Sequence, residues 1–315
     1  MPRKIADTKK MSHDEWVALR KTSLGGSDAG TVMGMNQYSS LITLYADKTG
    51  LSSELEDNEA MRLGRDLEQY VAERYMEETG KKVRQDNFMY AHDDYDFLTA
   101  NIDRRIIGEN AGLECKTMSS FNGYDFEGGD VPPHYYCQCM HYMMVMGFDY
   151  MDLAVLVLQR GIYIVHIPRN EDFIANMLDA EKDFWNNYVI PKRIPAPDGS
   201  EASLQTLKEL YPVEKPDTEI EIVGLDQMIA DYKMVSAMVS EYEEKKKAIQ
   251  GKICAMLGDY EIGTGEAYAC SWKTQSKSSI DSKRLKEELP DVYAKYTKVS
   301  NYRTFRTKKY NPKKR

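Results

Sequence analysis

No apolar run in these 315 residues reaches the ~18–20 needed to cross a bilayer, and no basic-then-apolar leader opens the chain. A cytoplasmic protein is therefore expected. Cysteine is scarce and odd in number: Cys115, Cys137, Cys139, Cys254 and Cys270, with no Cys-x-x-Cys among them. That excludes a disulfide framework and points to reduced thiols. Cys137 and Cys139 fall in an apolar helical run, where buried thiols are a better reading than metal ligands. Positive charge does not dominate either. A net charge of −8 disfavours a general nucleic-acid coat but leaves room for a local basic groove in a DNA enzyme. No internal repeat is visible.

What is present is uneven. Residues 303–315, "RTFRTKKYNPKKR", carry seven positive charges and no negative one, a solvated tail or a phosphate-binding arm. Near the other end Ser12, ahead of Asp14 and Glu15, starts a helix. "LGGSDAGTVMG" follows, with Ser27 placed to cap a second helix. "SLITLYADKTG" is a third, closed by Gly50, and residues 51–58 form a polar loop. Leu63, Leu67, Val71 and Tyr75 recur every fourth position, predicting a helix from Glu59 to Thr79 ended by Gly80. "KKVRQDNFMY", "DFLTANIDRRII" and "GLECKTM" read as strands, the second alternating Leu98, Ala100 and Ile102 with polar residues. "FNGYDFEGGDVPP" reads as a loop. Residues 133–146 form a buried helix, and "MDLAVLVLQRGIYIVHI" two strands joined at Gln159–Gly161. A helix opened by Asn170 completes the series. This order predicts a mixed central α/β sheet flanked by helices. The expected divisions are a domain at 1–195, a Pro-rich linker at 196–216, a helical arm at 217–258 and a small α+β unit with a basic tail at 259–315.

Chemistry concentrates around "GLECKTM". Side chains two apart on a strand share a face, so Glu114 and Lys116 point one way and Leu113 and Cys115 the other. Asp103 ends the preceding strand, one short connection away. Two carboxylates side by side repel, and a divalent cation relieves this; oxygen ligands select Mg²⁺ or Mn²⁺. The Cys115 carbonyl is a candidate further ligand, and Lys116 a candidate to orient or help deprotonate a water. Glu68 flanks the apolar stripe of its helix. It is either a surface partner of Arg65 or an acid leaning over a sheet edge. Arg104 and Arg105 are read equally as DNA contacts or surface ion pairs. His134, Gln138 and His141 share a helix face; a zinc site there is the weaker reading, a face turned to the active site the stronger.

Taken in order, these motifs resemble the YqaJ-type viral recombinase nucleases, relatives of the lambda-type exonucleases in the PD-(D/E)XK superfamily. The residues that carry the resemblance are Trp16 and Arg20 before "LGGSDAGTVMGMNQY", "LGRDLE" with Glu68, "ANIDRRI" with Asp103, "LECKT" with Glu114 and Lys116, and "YYCQCMHYMMVMG" with Gln138. They span residues 12–190. The signature proline is absent, since Ile102 precedes Asp103, and the cysteine spacing of the iron–sulfur branch is missing. The resemblance implies a restriction-endonuclease-like fold with Mg²⁺ on Asp103 and Glu114, supported by Glu68. Lys116 would assist the water and Gln138 sit beside the reacting phosphate. Arg20 and Ser27 would hold the 5′-phosphate of a DNA end, which suits an Arg fork and a hydroxyl at a Gly-rich helix start. It further implies a 5′→3′ double-strand DNA exonuclease, phage or prophage encoded and acting in a bacterial host. Such an enzyme would form a homo-oligomer, a ring-shaped trimer in lambda-type members, and hand 3′ single strands to a single-strand annealing protein. The alternatives are a nicking or structure-specific endonuclease and a non-catalytic DNA-end-binding module.

Overall fold

The computed structural model describes residues 2–52, 58–119, 124–299 and 302–309. Parts of the acidic loop at 51–58, of the loop after Met118 and of the basic tail lie outside the described residues. Contacts divide the chain into two units, Met1–Pro212 and Val213–Arg315.

The first unit opens with strand β1 (Arg3–Asp7), helix α1 (His13–Lys21), helix α2 (Gly26–Val32) and helix α3 (Leu41–Lys48). Ser12 caps α1 with the expected capping box to Glu15. The start of α2 differs from expectation. Gly25 is its N-cap and the Asp28 carboxylate accepts from the Gly25 N–H, so Ser27 stands inside the first turn with its hydroxyl free for other work.

Helix α4 runs Glu59–Thr79, capped by Asn58 and ended by Gly80 in the left-handed region. Its apolar stripe is buried only in the second half, at Val71, Ala72 and Tyr75. Leu63 is exposed, because α4 overhangs the sheet before it reaches it. The strands that follow are β2 (Val83–Gln85), β3 (Phe88–Ala91), β4 (Thr99–Ala100), β5 (Arg104–Ile106) and β6 (Ala111–Met118). Helix α5 (Pro133–Met146), strands β7 (Tyr150–Val157) and β8 (Gly161–Pro168), and helices α6 (Glu171–Phe184) and α7 (Glu201–Leu210) complete the unit.

A five-stranded mixed sheet, ordered β2-β5-β6-β7-β8, forms the centre; β6 and β7 are parallel and the other pairs antiparallel. A small sheet, β1-β3-β4, lies apart from it. The alternating run at 98–103 is thus split between two sheets. β4 pairs with β3, β5 pairs with β2 and β6, and Asn101, Ile102 and Asp103 cross between them. The central sheet separates two apolar layers. Cys115, Leu113 and Ala154 meet Val71 and Tyr75 of α4 on one face. Leu153 and Val155 belong with Met140 and Met143 of α5 to the larger core on the other.

The stretch at 196–216, expected as a linker, contains α7. Its Thr206 hydroxyl bonds the Thr43 hydroxyl of α3 at 2.8 Å, so much of it belongs to the first unit. Proline and polar residues there mark the turns on either side of a short helix. The second unit has a long helix α8 (Leu225–Leu257), a hairpin of β9 (Ile262–Thr264) and β10 (Ala269–Ser271), and helices α9 (Ser282–Glu288) and α10 (Pro290–Tyr296). No helix among the described residues is long and apolar enough to cross a membrane.

Candidate active site

β5 pairs with β6 only at Arg104–Leu113 and Arg105–Gly112, so beyond Leu113 the β6 backbone has lost that neighbour. Asp103 fills the gap. Its Oδ2 accepts from the Cys115 N–H at 2.8 Å, which fixes the carboxyl beside Glu114. Glu114 is 2% exposed and faces α5, as strand alternation predicts. Its Oε1 takes the Lys116 Nζ at 2.6 Å and the Gln138 Nε2 at 2.6 Å. Gln138 is held in turn by the Tyr142 hydroxyl at 3.2 Å, one helical turn along α5.

The electrostatics are strained towards cation binding. Glu114 Oε2 is buried with no hydrogen-bond partner among the described residues. Burial, then the charge of Glu114 and of Glu68, pushes the Asp103 carboxyl well above its usual range. Burial also raises Glu114, against the pull of Lys116. For Lys116 burial alone would lower the ammonium, but the Glu114 and Asp103 carboxylates outweigh it and the net shift is upward. An orphaned buried oxygen beside a second raised carboxyl fits a hard divalent ion. The set is not a finished cage. Among the described residues no three His, Cys, Asp or Glu side chains converge as one. Glu68 lines the same cleft, yet its carboxylate is held by Arg104 at 2.5 Å.

Arg104 was expected at DNA or on the surface and is at neither. It is 3% exposed, donating to Glu68, to Gln69 at 3.1 Å and to the Asp103 carbonyl at 2.8 Å. Arg105 pairs with Asp86 at 2.6 Å between the rings of Tyr90 and Phe148. The zinc reading fails at His141. Both ring nitrogens are used, Nδ1 with Glu181 at 2.8 Å and Nε2 with the Thr99 carbonyl at 2.9 Å. The Cys115 thiol lies in the α4 layer, so only its backbone reaches the site.

Arg20 and Ser27 meet as expected, guanidinium to hydroxyl at 2.6 Å. The guanidinium lies over the Trp16 ring, 4.7 Å from its centre, and the indole N–H donates to Asn101 at 3.2 Å. Two residues not anticipated hold this pair. Lys48, buried, bonds the Asp28 carboxylate at 2.7 Å and the Arg20 carbonyl at 3.0 Å. Asp28 was legible, three residues after a Gly-Gly helix start; nothing in the sequence marked Lys48. Tyr142 was equally legible, four residues after Gln138 on one helix face. A Cβ on Gly26 would stand 2.5 Å from the Tyr142 ring, so only glycine lets α2 press against α5 here.

One cleft of about 360 Å³ holds both groups, with Trp16, Arg20 and Ser27 in the same lining as Asp103, Glu114, Lys116 and Gln138. It can bind an anion at one place and polarise a bond at another.

The model of the YqaJ-like viral recombinase domain matches residues 15–149, a span that contains every residue of the cleft named as anion-binding or acidic. The uncharacterized protein YqaJ of Bacillus subtilis is 35% identical over 305 residues, 96% of each chain. Among solved structures, an alkaline exonuclease of Laribacter hongkongensis is 22% identical with a TM-score of 0.47, over 55% of this chain and 91% of that one. A phage related exonuclease of Haemophilus somnus is 13% identical with a TM-score of 0.43, over 56% and 99%.

Proposed function

Because this chain belongs to the YqaJ family of viral-recombinase-type proteins, we propose that it is a divalent-metal-dependent, 5′→3′ double-strand DNA exonuclease. It would resect 5′-phosphorylated ends and leave 3′ single strands for a single-strand annealing protein. The observation that carries the reading is the sharing of one cleft by the Arg20–Ser27 pair and the Asp103–Glu114–Lys116–Gln138 group.

Arg20 presents a planar fork and Ser27 a hydroxyl at a helix start, a combination suited to a terminal phosphate. Lys48 and Trp16 keep the fork in place. Asp103 and Glu114, with the Cys115 carbonyl and Glu68, are the groups that would hold Mg²⁺, or Mn²⁺ in its stead. When bound, the ion supplies charge neutralisation at the phosphate and a water acidic enough to attack near neutral pH. The Lys116 ammonium stands beside Glu114, where it can orient that water and stabilise developing negative charge. Gln138, steadied by Tyr142, offers an amide to the same place.

The test is digestion of linear duplexes labelled at each end, with and without a 5′-phosphate and with and without EDTA. Loss of the 5′-label first, preference for phosphorylated ends and silence in EDTA are expected. Cutting of closed circles would favour an endonuclease of the same superfamily. Binding of ends without cleavage in any metal would make the chain a non-catalytic end-binding module.

A further inference from the structure

Helix α8 is 33 residues long and exposes an apolar stripe along its whole length. The stripe is a strict heptad. From Leu225 to Met256 the positions fall alternately three and four residues apart. Leu225, Tyr232, Val239 and Ile253 take the a sites. Met228, Val235, Tyr242, Ile249 and Met256 take the d sites. These nine side chains are between 38% and 87% exposed. A 3.5-residue repeat held this long is the pattern of a helix wound against a second helix. A long helix in water gains most of its stability from packing such a face. Among the described residues of the second unit, the ring contact made by the seam is that of Phe305, edge-on to Tyr232 at 5.4 Å, and Tyr232 stays 53% exposed.

We infer that α8 is a self-association element that pairs antiparallel with α8 of a second copy of this chain. The direction follows from charge. The one polar core position is Lys246, at an a site. A parallel pair in register stacks Lys246 on Lys246 of the partner subunit, two like charges in a seam. In a fully overlapped antiparallel pair Leu225 meets Met256 of the partner subunit, Met228 meets its Ile253, and Tyr232 its Ile249. Lys246 then meets Val235, a neutral residue along which its methylenes can lie. The flanking sites agree. Asp231 comes opposite Lys252 of the partner subunit, an attractive pair, and no like charges face each other. Sliding the antiparallel pair by one heptad towards the C-termini instead opposes Glu243 to Glu243 and Lys245 to Lys245. The single lysine in the core thus selects the direction, as buried polar residues do in coiled coils, and the flanking charges oppose that slide.

This inference does not depend on the nuclease reading, and its test reads α8 directly. In the full chain, with Cys254→Ser and Cys270→Ser, Met228→Cys and Ile253→Cys are made as separate proteins, which leaves Lys246 in place. Each is treated with a short thiol-reactive cross-linker, alone and as a mixture. Cross-linking in the mixture and not in either alone is expected. Cross-linking of each variant alone would mean a parallel pair and overturn the inference. Cross-linking nowhere, with α8 still helical by circular dichroism, would overturn it also. So would cross-linking that appears only after residues 302–315 are removed, which would make the tail the occupant of the seam. Independently, the double variant Val239→Asp, Tyr242→Asp should halve the sedimentation-equilibrium mass. An unchanged mass would sink the proposal.

Discussion

Glu114 ties the acidic group together: Lys116 and Gln138 both donate to its Oε1, and its Oε2 has no hydrogen-bond partner among the described residues. Lys116→Ala and Asp103→Asn are each expected to lower cleavage by about 10²-fold or more. Binding of duplex ends in EDTA should persist. Single-turnover digestion beside a gel-shift titration checks both, and full activity of Lys116→Ala would remove the site assignment. Arg20 has a different signature. A charge-assisted contact is worth about 1.5–3 kcal/mol, so Arg20→Ala should cut the preference for 5′-phosphorylated over 5′-hydroxyl ends by roughly ten- to a hundredfold. The ratio of kcat/KM on the two ends is the measurement. At this scale the sequence was informative wherever a local rule applied. Two-residue alternation put Glu114 and Lys116 together, and the motif order supplied Arg20 with Ser27. It was silent on Lys48, whose partners lie 20 and 28 positions away. It misplaced Arg104, because nothing local shows that Glu68 and Gln69 close over it.

The elements around α2 act as one clamp. Asp28 is buried and its carboxyl is shifted downward; burial opposes this, but Lys48 and then Arg20 outweigh it. A depressed carboxylate contributes stability above its unfolded value near 3.9, and loses it as pH falls through the folded value. Asp28→Asn should therefore cost about 3–5 kcal/mol from pH 5 upward, with the gap to the parent closing below about pH 4. Thermal melts across pH 3–8 would show it; a gap that widens in acid would refute the linkage. Gly26→Ala should cost about 1–3 kcal/mol through the Tyr142 ring, and Tyr142→Leu in the same chain should recover much of it. Helix α4 was legible almost to the residue from its periodicity, and α5 from an apolar run bounded by Pro133 and Gly147. The sheet was less so. The short β1 has no alternation to announce it, and β4 and β5 read as one strand because the chain changes sheets without a Gly or Pro at Asn101–Asp103. Helix α7 was hidden by its proline-rich surroundings.

At the scale of the whole molecule, the cleft and helix α8 belong to different units. All cleft residues lie within Met1–Pro212, so a chain ending at residue 212 should fold with a melting temperature within a few degrees of its transition in the full protein. It should keep metal-dependent cleavage of DNA ends and lose the association carried by α8. Calorimetry and digestion of labelled duplexes check the first part, sedimentation the second; an unfolded or inert fragment would mean the units depend on each other. A ring of three such units about DNA and a contact with an annealing protein remain the proposals that follow from family likeness. The close approach of Gly26 to Tyr142 reaches further than stability. It fixes α2, which carries Ser27, against α5, which carries Gln138, so the distance between the proposed phosphate site and the acidic group is set by one rigid contact. On the proposed reading that contact would fix how far from the terminal phosphate the cut falls, so the double variant Gly26→Ala, Tyr142→Leu is expected to broaden product length before it slows the reaction, as read by sizing the released products on a sequencing gel.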